Sequence, residues 1–271
     1  MTPAGFIIFV VIGCAVGFSA GLFGVGGGFI MVPALILVYE YSGVPSSILI
    51  HLAIGTSLFV VIFSGMASAY QQAKQRNIDW KAVLIIGFSS CLTAFASTRL
   101  TTAMSGRHLK IAFVIIIMTG ALRMLMESQA RAEKKLELTS PPSRLGLLLI
   151  GVSAGVVSAF AGIGGGLFTI PMMYNFLNIP LKLAIGTSSA AIVITAIFSA
   201  GGYIVHGLGH ADLPEGLILG FVDLQHGIAL AIGSILLARV GAYVSFKTHP
   251  NRLKKIFAIF VILMGLYLLG K

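Results

Sequence analysis

Long apolar runs separated by short polar stretches make up almost the whole chain. Residues 4–23 and 52–70, for example, contain no Asp, Glu, Lys or Arg. An uncharged apolar run of about 18 residues or more is typical of a helix that spans a membrane. A transmembrane β-barrel would instead show short segments of alternating hydrophobicity. The pattern therefore predicts an all-α polytopic membrane protein.

The apolar runs divide into two sets of five. They lie near residues 4–23, 28–41, 50–71, 81–103 and 108–126 in the first half, and near 145–161, 166–178, 183–203, 223–243 and 253–270 in the second. The long charged stretch between the two sets includes Pro141-Pro142. We predict one integrated membrane domain composed of a first repeat (1–126), a linker (127–143) and a second repeat (144–271).

A glycine-rich motif followed by a proline occurs once in each half. The first copy is Gly24-Val25-Gly26-Gly27-Gly28 with Pro33, and the second is Gly162-Ile163-Gly164-Gly165-Gly166 with Pro171, 138 residues later. Only about a dozen apolar residues follow each motif, which is short for a span. Each glycine hairpin therefore either crosses the membrane twice or is re-entrant, and both alternatives leave the loop order unchanged.

A second pair of motifs also indicates that the chain is a tandem duplication. The hexapeptide Leu52-Ala53-Ile54-Gly55-Thr56-Ser57 recurs as Leu183-Ala184-Ile185-Gly186-Thr187-Ser188, and Ile78-Asp79-Trp80 resembles Val222-Asp223-Leu224. Because each half has an odd number of segments, the second repeat is predicted to be inverted relative to the first. Inverted repeats with helices broken by glycine are a common plan among secondary transporters.

Composition and charge agree with this class. The chain is 57% hydrophobic and 10% charged, with a mean hydropathy of +1.01, whereas soluble domains have about 25% charged residues. The net charge of +10 comes mostly from loop residues that can contact anionic lipid headgroups, and they form no aromatic-interleaved patch typical of nucleic-acid binding. If every segment reverses direction, 14 basic residues fall on one side and 4 on the other. The positive-inside rule then makes the linker cytoplasmic and both termini external.

The glycine motifs are candidates for an anion site. A helix that restarts after glycines presents free backbone N–H groups and the positive end of its dipole, and two such ends brought to one cavity suit a small anion. The alternative is that the glycines only permit close helix contact. Hydroxyls in the repeated hexapeptide either donate to substrate or bond to their own backbone. The candidate substrate-binding residues are Gly26, Gly27, Gly28, Thr56, Ser57, Gly164, Gly165, Gly166, Thr187 and Ser188.

Other residues carry weaker indications. Pro33 and Pro171 are predicted helix breaks that kink the short helix or expose a carbonyl. His51 and His226, at helix edges, are candidates for proton coupling because histidine changes charge near neutral pH. Cys14 and Cys91 have neither disulfide nor metal-ligand spacing, and we predict no metal and no cofactor.

With these motifs the chain resembles the sulfite exporter TauE/SafE family of membrane transporters. The resemblance covers nearly the whole chain and rests on GLFGVGGGFIMVPAL, its echo AGIGGGLFTIPMMY, both AIGTS sequences, and the V-D-L at Asp223 before a helix with Gly233. It implies transport of a small anion, such as sulfite or an organosulfonate, across the bacterial inner membrane. The direction of transport, the coupling ion and whether the chain forms a homo-oligomer stay open.

Three other functions compete with this interpretation. A carboxylate or other anion permease would share the same motifs. A membrane-embedded enzyme would need clustered His, Asp or Glu inside the spans, where the sequence has almost none. A non-transporting partner subunit would not need symmetric broken helices. Because the chain has no ATP-binding motif, active transport requires an ion gradient or a partner ATPase.

Overall fold

The computed structural model describes residues 3–23, 26–126, 142–214, 216–247 and 265. In these ranges the helices are α1 (Pro3–Phe23), α2 (Gly28–Tyr41), α3 (Ser46–Lys74), α4 (Trp80–Ala103), α5 (Gly106–Met126), α6 (Arg144–Ala161), α7 (Gly166–Phe176), α8 (Leu181–Gly207) and α9 (Leu224–Lys247). Strands β1 (Ile218–Leu219) and β2 (Val222–Asp223) form a short antiparallel hairpin before α9. The predicted all-α membrane fold is confirmed, and nine of the ten predicted segments match a helix. Apart from residue 265, the tenth segment, 253–270, lies outside the described residues, as does nearly all of the linker.

Six of the described helices are long and apolar enough to cross a membrane: α1, α3, α4, α6, α8 and α9. Helices α2 and α7 have 14 and 11 residues, so they extend only about 21 and 16 Å, against roughly 30 Å of hydrocarbon. Each of these two short helices follows a glycine motif. They cannot span the bilayer on their own.

Apolar side chains on the outer faces of the long helices fit a lipid environment. Leu84, Phe88 and Leu92 lie along one face of α4, spaced by four residues, and are 67%, 67% and 61% exposed. A large exposed apolar surface marks contact with a partner or a membrane. Helices α3 and α8 are the most buried of the six long helices, so they form the centre of the protein.

The halves exchange their fourth helices. Helix α9, from the second half, packs against α1 and α3, while α4, from the first half, packs against α6 and α8. The result is two bundles, which we name bundle A (α1, α2, α3, α9) and bundle B (α6, α7, α8, α4). Contacts between α3 and α8 provide the main packing between the two bundles.

Small residues allow the exchanged helices to approach closely. A Cβ on Gly13, Gly17 or Gly21 of α1 would come within 2.3 Å of the backbone of α9, so only glycine fits along this stripe. Their contacts are Leu230, Ser234 and Ala238, respectively. The residue numbers rise together, so α1 and α9 are parallel. Close backbone contact through small residues is a common way to associate membrane helices.

The two central helices run in opposite directions. Gly55 lies beside Tyr203, and Gly65 beside Val193, while the Ser68 hydroxyl lies 3.3 Å from that of Ser189. As residue numbers rise along α3, the contacting numbers fall along α8. Since α3 and α8 carry the two copies of the repeated hexapeptide, equivalent parts of the two halves point to opposite ends of the molecule.

Candidate functional site

Each glycine motif turns the chain by means of left-handed backbone. Gly26 and Gly27 have φ of 83° and 77°, and their counterparts Gly164 and Gly165 have φ of 73° and 85°. Side chains other than glycine rarely adopt these values. Gly27 and Gly165 are the N-terminal caps of α2 and α7, so the motif sequence sets the point at which each short helix begins.

The two motifs meet halfway along the central helices. A Cβ on Gly28 would lie 2.1 Å from the carbonyl oxygen of Gly162, and Gly26 and Gly164 both pack against Val61 of α3 and Ile192 of α8. We name this contact, formed by Gly26, Gly28, Gly162 and Gly164 with Val61 and Ile192, the glycine crossing. The structure therefore brings together the two motifs that the sequence identified, in backbone-to-backbone contact.

Hydroxyl groups of the central helices lie at this crossing. The Ser57 hydroxyl donates to the carbonyl oxygen of Gly162 at 2.9 Å, and the Ser64 hydroxyl donates to that of Gly26 at 3.1 Å. Ser188, the counterpart of Ser57, is fully buried, and its hydroxyl has no hydrogen-bond partner among the described residues. Ser57 thus supports the turn of the opposite half, and Ser188 keeps a hydroxyl that can donate to a ligand.

The threonines of the hexapeptides lie away from the crossing. The Thr56 hydroxyl oxygen accepts from the backbone N–H of Asp223 at 2.9 Å, and that of Thr187 accepts from the N–H of Asp79 at 3.0 Å. Thr56 and Thr187 each precede the crossing by five residues on antiparallel helices, so the two contacts lie in opposite directions from it. We name them the Thr56–Asp223 junction and the Thr187–Asp79 junction. Both threonines thus contact another segment of the chain and not, through these bonds, the backbone of their own helix.

Glycine completes each junction. A Cβ on Gly55 would lie 2.0 Å from the carbonyl oxygen of Phe221, and one on Gly186 would lie 1.9 Å from that of Asn77. Each carbonyl belongs to the residue two positions before the aspartate. The Gly-Thr pair of each half therefore clamps the chain that leads into the fourth helix of the other half.

An ionisable cluster is built on the Thr56–Asp223 junction. Asp223 is 4% exposed. Its carboxylate accepts from the Tyr39 hydroxyl at 3.2 Å, from the backbone N–H of His226 at 3.0 Å and from the His226 ring nitrogen Nδ1. The Phe9 ring packs on the His226 ring with centroids 4.4 Å apart. Sequence reasoning singled out His226 but missed Tyr39, because one tyrosine in an apolar helix gives no pattern.

His51, the other candidate for proton coupling, binds backbone. Its Nε2 lies 3.1 Å from the carbonyl oxygens of both Thr101 and Met104 at the end of α4. Its ring packs at 5.2 Å from that of Phe221. The contacts join α3 to α4 and bring no carboxylate to the imidazole.

Pro33 and Pro171 lie inside α2 and α7, which continue past them. Each proline lacks an N–H to donate to the carbonyl four residues earlier. Each short helix therefore continues past a proline that makes no backbone N–H hydrogen bond.

Known proteins similar to this chain are described as probable membrane transporter proteins. The sequence model of the family described as Sulfite exporter TauE/SafE matches residues 9–268. A probable membrane transporter protein of Haemophilus influenzae is 31% identical over 260 residues, which cover 96% of each chain. Another, of Methanocaldococcus jannaschii, is 31% identical over 269 residues, which cover 97% of this chain and 94% of the relative. No solved structure gives a significant match.

Proposed function

We propose that this chain, which belongs to the sulfite exporter TauE/SafE family of membrane transporters, is a secondary transporter of a small anion. Sulfite or an organosulfonate is the substrate class that the family description favours. The observation that carries the proposal is the glycine crossing, where two glycine-capped half-helices meet at the middle of two antiparallel central helices. Broken helices whose N-termini lie at mid-membrane are a common way for transporters to bind anionic groups.

The substrate site is proposed at the N-termini of α2 and α7. Each terminus favours negative charge by roughly 0.3–1 kcal/mol when exposed and up to about 2 kcal/mol when partly buried. Gly26 to Gly28 and Gly164 to Gly166 form the two turns, and the buried Ser188 hydroxyl supplies a donor. Ser57 contributes when its bond to Gly162 exchanges for the substrate. Thr56 and Thr187 support the site by fixing the junctions at either end.

Transport is proposed to proceed by movement of bundle A against bundle B. The direction of α3 against α8 and the exchanged fourth helices support inverted repeats related by an axis in the membrane plane. In that plan, two equivalent units alternate about a central site. Packing within each bundle is more extensive than between bundles, so the α3–α8 contact is where movement is expected.

Proton coupling is proposed at Asp223 and His226. This pair joins a buried carboxylate to an imidazole that is 24% exposed, so a proton can reach the carboxylate by way of the ring. Intramembrane ionisable residues are usually functional. His51 is the weaker candidate because its described contacts are to backbone carbonyls.

The proposed orientation follows the basic residues. Lys74, Arg76 and Lys182 lie at the ends where α3 finishes and α8 begins, which the positive-inside rule makes cytoplasmic. The Asp223–His226 pair then lies toward the outside of the bacterial inner membrane.

Flux into proteoliposomes tests the proposal. Purified full-length protein is reconstituted, and uptake of radiolabelled sulfite is measured with and without an imposed pH gradient, with methanesulfonate and acetate as competitors. We expect uptake above that of protein-free vesicles, stronger competition by methanesulfonate than by acetate, and stimulation by the pH gradient. Stronger competition by acetate than by methanesulfonate would indicate a carboxylate permease. Absence of flux for every anion would indicate a non-transporting subunit.

A further inference from the structure

Gln72, near the end of α3, carries a buried amide. Its side chain is 1% exposed, and neither the amide nitrogen nor the amide oxygen has a hydrogen-bond partner within the part of the chain that the structure describes. Buried polar groups are almost always hydrogen-bonded, and one left unpaired destabilises the fold. A ligand that binds the amide reversibly would explain why an unpaired polar group is present at a buried position.

The position of Gln72 continues a polar face of α3. Five residues of α3 are spaced by three or four positions and therefore lie along one face: Ser57, Val61, Ser64, Ser68 and Gln72. Ser57 and Ser64 contact the glycine motifs, and Ser68 donates to Ser189 of α8 at 3.3 Å. The face that reaches the glycine crossing therefore extends to Gln72 at the proposed cytoplasmic end.

Two further hydroxyls accompany the amide. The Ser68 hydroxyl, one turn before Gln72, donates to that of Ser189 at 3.3 Å, and the Ser189 hydroxyl donates to the carbonyl oxygen of Ile185 at 2.9 Å. We name Ser68, Gln72 and Ser189 the donor cluster. Its donors without a partner among the described residues are the amide N–H groups of Gln72, and the cluster carries no charge.

The second half provides an internal comparison. The residue equivalent to Gln72 at the hexapeptide offset is Tyr203, whose hydroxyl donates to the carbonyl oxygen of Ala159 at 2.7 Å. One turn earlier, the Ser199 hydroxyl is 2.8 Å from that of Ser158. At these two positions α8 is thus filled and paired, whereas the equivalent Gln72 of α3 has no hydrogen-bond partner among the described residues.

We propose that the donor cluster is a second anion subsite, between the glycine crossing and the cytoplasm; the proposal rests on the function proposed above. The ligand is a small oxyanion such as sulfite or a sulfonate, whose oxygens accept from the Gln72 amide and from the Ser68 hydroxyl when this hydroxyl exchanges its bond to Ser189 for the ligand. Neutral donors bind an anion weakly enough to release it, as conduction through successive sites requires. The excess of basic residues predicted on this side raises the local anion concentration.

The test compares Gln72→Leu with Tyr203→Phe. In Gln72→Leu, we expect an unfolding temperature equal to or above that of the parent without anion, at least tenfold weaker stabilisation by sulfite, and at least a tenfold higher KM for sulfite flux. The reason is that the variant removes an unpaired amide from the empty protein and a donor from the loaded one. Tyr203→Phe should show the reverse: a lower unfolding temperature and an unchanged KM.

A lower unfolding temperature of Gln72→Leu with unchanged sulfite affinity would show that Gln72 is structural and overturn the subsite. If Gln72→Leu does not fold, Gln72→Asn is measured instead, because it keeps the amide but withdraws it by one methylene. A KM of Gln72→Asn for sulfite equal to that of the parent would then overturn the subsite. The subsite would also be overturned if Na⁺, and not sulfite, raised the unfolding temperature of the parent more than that of Gln72→Leu. Parent protein that transports no small anion would instead refute the proposed function itself.

Discussion

The two junctions share one framework and differ in what is attached to it. At both, a hexapeptide threonine accepts from the N–H of an aspartate that caps the fourth helix of the opposite half. The Asp223 carboxylate also binds Tyr39 and His226. At the positions equivalent to these two residues, the other half has Leu177 and Ala82, which offer no such groups.

This difference separates architecture from candidate chemistry. Residues that occur in both halves, such as Thr56 and Thr187, build contacts that both halves need. Residues that occur in one half, such as His226 and Gln72, are not required by the common framework. Changes at duplicated positions should therefore affect folding in similar ways, and changes at unduplicated positions should affect transport.

The largest effect is expected at the glycine crossing. In Gly28→Ala, the new Cβ would lie 2.1 Å from the Gly162 carbonyl oxygen, and overpacking of this kind costs about 1–3 kcal/mol or more. We expect a clearly lower unfolding temperature in detergent and loss of sulfite flux. Gly201→Ala is the matched control, because a Cβ on this α8 glycine meets nothing within 4 Å. Equal behaviour of the two variants would show that the motifs are not in close contact.

A smaller effect, on transport alone, is expected from Asp223→Asn. Asparagine caps a helix about as well as aspartate, so the fold should persist while the charge that pairs with His226 is lost. We expect at least a tenfold fall in flux driven by a pH gradient and a flatter dependence of flux on pH. Asp79→Asn, at the equivalent cap, should leave both unchanged. If the two variants give the same flux, the contact of the Asp223 carboxylate with His226 has no role in coupling flux to the pH gradient.

The smallest effect is expected at the threonines, and it should be similar in the two halves. The Tyr39 hydroxyl also lies 3.2 Å from the Thr56 oxygen, but it keeps Asp223 as an acceptor when Thr56 is replaced. Thr56→Val or Thr187→Val leaves a backbone N–H without its acceptor, which costs about 1–3 kcal/mol. The unfolding temperature should fall similarly in both variants, while Thr→Ser at either position keeps the acceptor and most of the stability. A fall in one half only would show that the two junctions are not equivalent.

The sequence allowed much of the fold to be predicted. Continuous apolar runs such as 52–70 specify helices, and the repeated glycine motif identified the duplication and the backbone turns at Gly27 and Gly165. These features depend on local composition and spacing. The exchange of α4 and α9 between the bundles could not be predicted, because it depends on which distant backbones approach through glycines such as Gly17.

The candidate site was predicted less completely. Ser57 and Ser188 were identified from their repeat, yet Thr56 proved to contact Asp223, a partner 167 residues away in the chain. Tyr39 and Gln72 were missed because each stands alone in an apolar helix. A comparison of the two halves could have indicated them, because each occupies a position at which the other half has a different residue.

Two cysteine pairs test most directly whether transport requires bundle A to move against bundle B. In a background without Cys14 and Cys91, Ser68→Cys with Ser189→Cys joins α3 of bundle A to α8 of bundle B, where the hydroxyls are 3.3 Å apart. Ser158→Cys with Ser199→Cys joins α6 to α8 within bundle B, where they are 2.8 Å apart. In both pairs the two side chains point toward each other, as a disulfide requires.

Sulfite flux is measured in proteoliposomes before oxidation, after oxidation and after reduction. We expect the disulfide between bundles to abolish flux and reduction to restore it, while the disulfide within bundle B leaves flux nearly unchanged. Full flux through protein whose α3 and α8 are quantitatively cross-linked would contradict the account.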